Sequence, residues 1–144
     1  MQQVRSFFSQ EAFSLMEVLI AIFIFSVGIL AVSALQISSM RTNAQARMLT
    51  ESSSLASESI ERLVALPFDD ANLADVNKDG AAGLDKIGGA ADFTVVRDGY
   101  TVSWNVAEDV LIDGTKTIRV IVQYNERGVQ RQVVFERIRH KESK

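Results

Sequence analysis

The sequence predicts an α+β protein in which one long N-terminal helix packs on a small antiparallel sheet of three or four strands. Three observations lead to this prediction. An apolar run extends over 13–35, and an amphipathic stretch without Gly or Pro continues it over 36–66. After Asp92 the hydrophobic period shortens to two. Apolar residues three or four apart are typical of one helix face, whereas strict alternation is typical of half-buried strands.

Composition leaves room for an anchor and one domain, and it excludes several kinds of chemistry. The chain has 144 residues, a formal net charge of −3, no Cys and one His, His140. The mild charge gives no reason to expect nucleic-acid binding. The absence of Cys excludes disulfides, thiolate metal sites and cysteine nucleophiles. With a single His near the end of the chain, most catalytic pairs of a nucleophile and a base cannot form. We therefore expect a protein that is not an enzyme and requires no cofactor.

The apolar run over 13–35 is long enough to cross a membrane. At about 1.5 Å per residue it reaches roughly 34 Å, and a bilayer core is about 30 Å thick. The run contains one carboxylate, Glu17. An acid inside a membrane helix costs about 3 kcal/mol or more, so Glu17 needs a partner or a function.

Three other interpretations of this run are open. A buried core helix is one, although the run is long for such a helix. A cleaved secretory signal is the second, with Val32-Ser33-Ala34 as the cleavage site, but its apolar region is usually about 7–15 residues long. An ordinary membrane anchor is the third, and it would leave Glu17 without a role.

The amphipathic stretch is predicted to continue the same helix, from about Ser14 to Leu66. Its apolar residues recur mostly three or four apart, with one gap at Ser52, and Pro67 ends the pattern. The predicted stripe consists of Ile37, Met40, Ala44, Met48, Leu55, Ile60, Leu63 and Leu66. This stripe is the largest partner available to cover one face of a sheet.

Four segments follow from these patterns. They are a short polar leader (1–12), a transmembrane half of the helix (13–35), an amphipathic half (36–66) and a globular head (67–144).

The head is predicted to contain a long irregular loop and an antiparallel sheet. The loop covers 68–91 and is rich in Asp, Asn, Ala and Gly. In the clearest strand, Val102, Trp104 and Val106 alternate with polar residues, so we expect it to be half-buried. Short turns join the strands, which indicates antiparallel pairing. The strand candidates are 93–96, 100–106, 118–124 and 129–138.

The long loop contains a pattern similar to part of a calcium site. Oxygen-bearing side chains alternate at Asp75, Asn77 and Asp79 and a glycine follows, as in the first half of an EF-hand loop. The second half departs from that pattern, because Lys86 stands at position twelve and Asp85 comes one residue early. Two hypotheses are open: a loop stabilised by structural Ca²⁺ through the three alternating residues and Asp85, and a solvated turn.

The N-terminal residues resemble those of type IV pilins and of the related pseudopilins of type II secretion. Members of this family carry a short leader, a small residue at a cleavage point, a Phe, and Glu at the fifth mature position of an apolar helix. Here these residues are Ala12, Phe13 and Glu17, in the sequence AFSLMEVLIAI. Ala12 stands where the family usually has Gly, which its peptidase accepts more readily.

The resemblance implies a pathway of processing and assembly. Prepilin peptidase would cut between Ala12 and Phe13, and the new Phe13 amine would be N-methylated. The protein would first cross the bacterial inner membrane once, in contact with lipid. It would then enter an extracellular pilus through the inner-membrane assembly platform. Its partners there would be other major and minor pilins, contacted through the N-terminal helix.

A physical role for Glu17 follows from this resemblance. The freed amine and the carboxylate four residues later lie at similar membrane depth. On neighbouring subunits the two charges would neutralise each other at low dielectric, so assembly would offset the cost of an isolated charge.

The remainder of the chain looks like PilV-type minor pilins. The similarity lies in LTESSSLASESIERLVALPFDD, YTVSWNVAEDV and KTIRVIVQYNERG. It implies a minor pilin that primes or takes part in pilus assembly. Two alternatives are an I-type minor pseudopilin of a type II secretion system and a filament-exposed binding or adhesion module. Many pilins close a C-terminal disulfide loop, and Ca²⁺ would take over part of that restraint in a chain without Cys.

Overall fold

One long helix and four strands are the main elements of the part of the chain that the structure describes. The computed structural model describes residues 14–141. Of these, the residues up to Thr42 form one compact unit and those from Asn43 form the other. The helix is α1 (Leu15–Ala65), and the strands are β1 (Phe93–Arg97), β2 (Tyr100–Glu108), β3 (Thr115–Glu126) and β4 (Val129–His140). Three short 3₁₀ helices lie in the loop before β1: Ala71–Leu73, Gly80–Gly83 and Gly88–Ala90. The α+β fold class predicted from the sequence is confirmed.

The sheet is an antiparallel meander whose spatial order follows the sequence, β1-β2-β3-β4. Two of its connections are two-residue turns. Asp98-Gly99 joins β1 to β2 with φ of 52° and 84°, and Arg127-Gly128 joins β3 to β4 with the same two values. Positive φ at both positions is the geometry of a type I′ turn, which matches the twist of the strands it joins.

The core lies between the inner face of the sheet and the last turns of α1. Strands β2 and β3 place Trp104 opposite Val120 and Val102 opposite Val122. On α1 the buried positions begin at Ser52 and recur three or four apart, as one face of a helix requires. The core side chains are Ala56, Ile60, Leu63, Leu73, Tyr100, Val102, Trp104, Val106, Ile118, Val120, Val122 and Tyr124. Of the stripe predicted on the helix, only the part after Ser52 therefore contributes to the core.

A polar contact also joins α1 to the sheet. The Tyr100 hydroxyl donates to a carboxylate oxygen of Glu51 at 2.9 Å, and the Arg47 Nε donates to the other at 2.7 Å. These two hydrogen bonds, chiefly that from Arg47, hold the pKa of Glu51 below its ordinary value. Burial, and then the bond to Glu51, raise the pKa of Tyr100.

The later part of the long loop, with Leu84, Lys86 and Gly88, packs on the outer face of the sheet. This differs from the half-buried β2 that the alternation predicts. Ser103 and Asn105 face away from α1, yet both are buried. The Asn105 amide donates to the carbonyls of Leu84 at 3.0 Å and Lys86 at 2.7 Å, and its oxygen accepts the Asp92 N–H at 2.9 Å. A segment without periodicity thus covers polar strand residues, because these residues supply the hydrogen bonds that its backbone needs.

Replacing Asn105 should loosen this loop. Asn105→Ala leaves two carbonyls and one N–H without a partner, so we expect the unfolding free energy to fall by about 3 kcal/mol. Denaturant unfolding of the full chain in detergent measures this, with fluorescence of the single Trp, Trp104, as the signal. Thr101→Ala, on the same face of β2, is the control and should cost well under 1 kcal/mol. Equal losses in the two variants would contradict the anchoring role of Asn105.

Candidate functional site at the start of the helix

Ser14 and Glu17 form the N-terminus of α1. The Ser14 hydroxyl accepts the Met16 N–H at 3.3 Å, and its carbonyl accepts the Glu17 N–H at 2.9 Å. Ser-x-x-Glu before an apolar run is the capping-box pattern, and the positive end of the helix dipole favours a carboxylate in the first turn. The sequence prediction did not include this role of Glu17 in capping the helix, although Ser14, three residues earlier, is the signal for it.

The helix that follows Glu17 exposes apolar side chains on all sides. α1 is long and apolar enough to cross a membrane, and none of its most apolar stretch is buried. The two serines within that stretch have their hydroxyls bonded to the helix itself. Ser26 donates to the Ile22 carbonyl at 2.7 Å and Ser33 to the Ile29 carbonyl at 2.9 Å. These bonds lower the cost of the serines in an apolar environment. Glu17 is the one ionisable residue over 14–40, so it is the one group in this stretch whose charge such bonds do not compensate.

An open apolar hollow adjoins Glu17 on the helix surface. Its volume is ≈530 Å³, and Val18, Ala21, Ile22 and Phe25 line it together with Glu17. Side chains of another helix pack into hollows of this kind. The arrangement thus suits a helix neighbour that brings apolar contacts and a positive charge to the same place.

Two of the predicted site residues, Ala12 and Phe13, lie outside the described residues. The predicted cleavage point and methylation position therefore stay predictions from sequence.

In this structure, the loop residues that were predicted to bind calcium form hydrogen bonds and ion pairs with protein groups instead. The Asp75 carboxylate accepts the N–H of Asp79 at 3.2 Å and of Gly80 at 2.9 Å. The carboxylate of Asp79 pairs with Lys86. These contacts fix the turn through backbone amides and one ion pair.

The other two predicted ligands point to different partners. The Asn77 amide donates to the Ala90 carbonyl at 3.1 Å, and Asp85 pairs with Arg119 of β3. Among residues 14–141 no cluster of three or more His, Asp or Glu is arranged to hold a metal ion. The four residues therefore do not form a calcium cage as they stand, and calcium binding stays a prediction.

Comparison with known protein families gives a match at the N-terminus. The family model for the prokaryotic N-terminal methylation motif matches residues 8–33. This segment contains the predicted cleavage point, Phe13 and Glu17. The match indicates a type IV pilin-like precursor, of the pilin or pseudopilin kind. Comparison of the chain with curated proteins and with solved structures gave no match.

The calcium prediction can be tested through the charge at position 86. If the loop binds Ca²⁺, millimolar Ca²⁺ should raise the melting temperature of the full chain in detergent, and Asp79→Ala should abolish the gain. Lys86→Glu should enlarge it, because it removes the cation that pairs with Asp79 and restores an acid at the twelfth position. Mg²⁺ at equal ionic strength is the control. No calcium-dependent shift in the wild type or in Lys86→Glu would leave only the solvated turn.

Proposed function

We propose that the chain is a minor type IV pilin, a structural subunit that primes or takes part in pilus assembly. The observation that carries this proposal is the methylation-motif match over residues 8–33. It includes the first part of α1, where the helix is apolar on all sides and Glu17 is the one acid over residues 14–40. Pilus assembly needs such a helix, because the same surface must first face lipid and then face other subunits.

Processing is proposed to precede assembly. Prepilin peptidase removes residues 1–12 at the inner membrane, where the helix crosses the bilayer once. The Phe13 amine is then methylated, and the assembly platform moves the subunit into the extracellular filament. The apolar surface of α1 before Leu35 supports a place in the membrane first and among other subunits later, because it needs an apolar environment in both states.

Glu17 is proposed to neutralise the Phe13 amine of a neighbouring subunit. Among residues 14–141 of one subunit, the group that compensates the charge of Glu17 is the helix N-terminus, which contributes about 0.3–1 kcal/mol. That is less than the cost of a lone acid in a membrane, about 3 kcal/mol or more. A neighbour's cation would supply the difference, so Glu17 favours the assembled state.

An I-type minor pseudopilin of a type II secretion system is the second candidate. The methylation-motif match supports it equally, since pilins and pseudopilins share this N-terminus. Deletion of the gene separates the two: loss of pili with normal secretion supports the pilin, and the reverse supports the pseudopilin.

Mass spectrometry of the N-terminus tests the pathway. The mature chain should begin with N-methylated Phe13, and Ala12→Gly should raise the processed fraction. A variant with a large residue at the cleavage point, Ala12→Leu, is the control and should accumulate as precursor. A mature chain that begins at Leu35 would instead show ordinary secretory cleavage and would contradict the proposal.

Substitution of Glu17 tests the neutralisation. Glu17→Ala, Glu17→Val and Glu17→Gln should remain in the membrane fraction, but their incorporation into filaments should fall on the order of tenfold, as expected for loss of about 1.4 kcal/mol. Immunoblots of sheared filaments and of membranes measure both. Ser33→Ala, which removes a hydroxyl bonded within the helix, is the control and should incorporate normally. Normal incorporation of Glu17→Gln would contradict a role for the charge.

A further inference from the structure

Strand β4 forms an open edge of the sheet. In the part of the chain that the structure describes, it pairs with β3 and with no other strand. The two-residue turn makes Glu126 and Val129 a hydrogen-bonded pair, and in an antiparallel ladder such pairs recur at every second residue. The Lys141 N–H, which donates to the Gly114 carbonyl at 3.0 Å, fits this alternation. The N–H and C=O groups of the even-numbered residues of β4 therefore point away from β3.

An apolar groove, which we call the α1–β4 groove, lies beside this open edge. Its volume is ≈660 Å³. The apolar part of its lining consists of Ile60, Val64, Ala65, Val134 and Phe135. Val134 and Glu136, whose N–H groups belong to the open edge, both line the groove. Since α1 covers the inner face of the sheet, a segment that paired with the edge would direct every second side chain into this groove.

The charges that line the groove cancel. Glu61 lies on its helix side and Arg137 on its strand side, whereas the Glu136 carboxylate pairs with Arg119 of β3. One acid and one base give no net preference for a charged occupant, and an additional charge would be costly to bury against the apolar lining. The side chains that fit the groove are therefore apolar and uncharged.

A second copy of β4 does not meet this requirement. Arg137 lies opposite Ile118 and Arg131 opposite Tyr124, so both arginines are on the face of β4 that is directed toward α1, as is Arg139. Two copies of β4 paired as antiparallel strands would bring the arginines of both copies to this one face, where like charges repel. The open edge thus fits a segment whose sequence differs from that of β4.

We propose that an extended segment of a different subunit of the same filament pairs with β4 as a fifth, antiparallel strand, and places alternate apolar side chains in the α1–β4 groove. Backbone hydrogen bonds give this contact its affinity, and the apolar groove gives it selectivity. The source of the segment rests on the proposed function, which gives the chain other subunits as neighbours. The contact adds the head to the N-terminal helix as a place where subunits meet.

Binding of a synthetic peptide to the full chain in detergent tests the pairing. The probe is a fluorescent peptide as long as β4, 12 residues, in which Val and Thr alternate between terminal Lys residues that keep it soluble. In antiparallel pairing, residues that exchange hydrogen bonds are on the same face of the sheet. The even-numbered residues of β4 face away from α1. The Thr amides of the peptide therefore bond to β4 when its Val side chains enter the groove.

Two methylated forms of this peptide are the matched comparison. Methyl groups on all Thr amides remove the donors that face β4 and should raise the Kd, measured by fluorescence anisotropy, by at least about tenfold. Methyl groups on the Val amides instead should leave the Kd unchanged. Absence of binding by the unmodified peptide, or equal effects of the two methylations, would overturn the strand pairing. A larger effect of Val methylation would overturn the antiparallel direction.

Proline substitutions identify the edge. Val134→Pro removes an N–H of the open edge and no bond to β3, and edge strands accept Pro at such positions. It should weaken peptide binding roughly tenfold, because the ring replaces a donor and obstructs the approach of a strand. Val96→Pro is the control, since the turn at 98–99 places the Val96 N–H on the open edge of β1 in the same way. Equal losses of binding in the two variants would overturn the assignment to β4.

Filament incorporation tests the source of the segment. Val134→Pro should remain in the membrane fraction while its amount in sheared filaments falls roughly threefold, and Val96→Pro should incorporate normally. Normal incorporation of a Val134→Pro variant that has lost peptide binding would overturn another subunit as the source. Peptide binding needs no filament, and Glu17 is unchanged in both variants. Failure of this contact and failure of the proposed function therefore give different results.

Discussion

The head depends on the contact between the inner face of the sheet and the last turns of α1. Ala56 and Leu63 are almost fully buried there, opposite side chains of β2 and β3 that are equally buried. Burying one Leu or Ile contributes about 1.5–3 kcal/mol, so loss of this contact would expose a large part of the core. The two ends of the same helix therefore need different environments. Before Leu35 it needs an apolar environment on every side, and after Ser52 it needs one only toward the sheet.

The elements of the fold could be predicted because their residues obey simple periods. The helix limits fall within about one residue of the sequence prediction, since a capped apolar run begins the helix and Pro67 follows its end. The strands were found where apolar residues alternate. The methylation motif was recognisable for a similar reason, because spacing, acid and apolar context occur together within one short segment.

The contacts between the loop and the sheet could not be predicted, because they depend on residues that are distant in sequence. Asn105 looks like a solvent-facing strand residue until the loop that it anchors is known. Asp85 looks like a ligand until Arg119, on another element, is found to pair with it. No local period describes such contacts. The capping role of Ser14 belongs to a different class, because its signal was present in the sequence and was overlooked.

The position of β4 at the edge of the sheet has a consequence for aggregation. The bond from the Lys141 N–H to the Gly114 carbonyl, with the register of β3 and β4, places the amides of Val134, Glu136 and Ile138 on the unpaired side of β4. An exposed row of amides is a template for uncontrolled strand addition. Glu136 lies at the middle of this row and Arg137 follows it, so in-register stacking of identical strands would place like charges one above another. The charged residues of β4 thus disfavour fibre formation through this edge of the sheet.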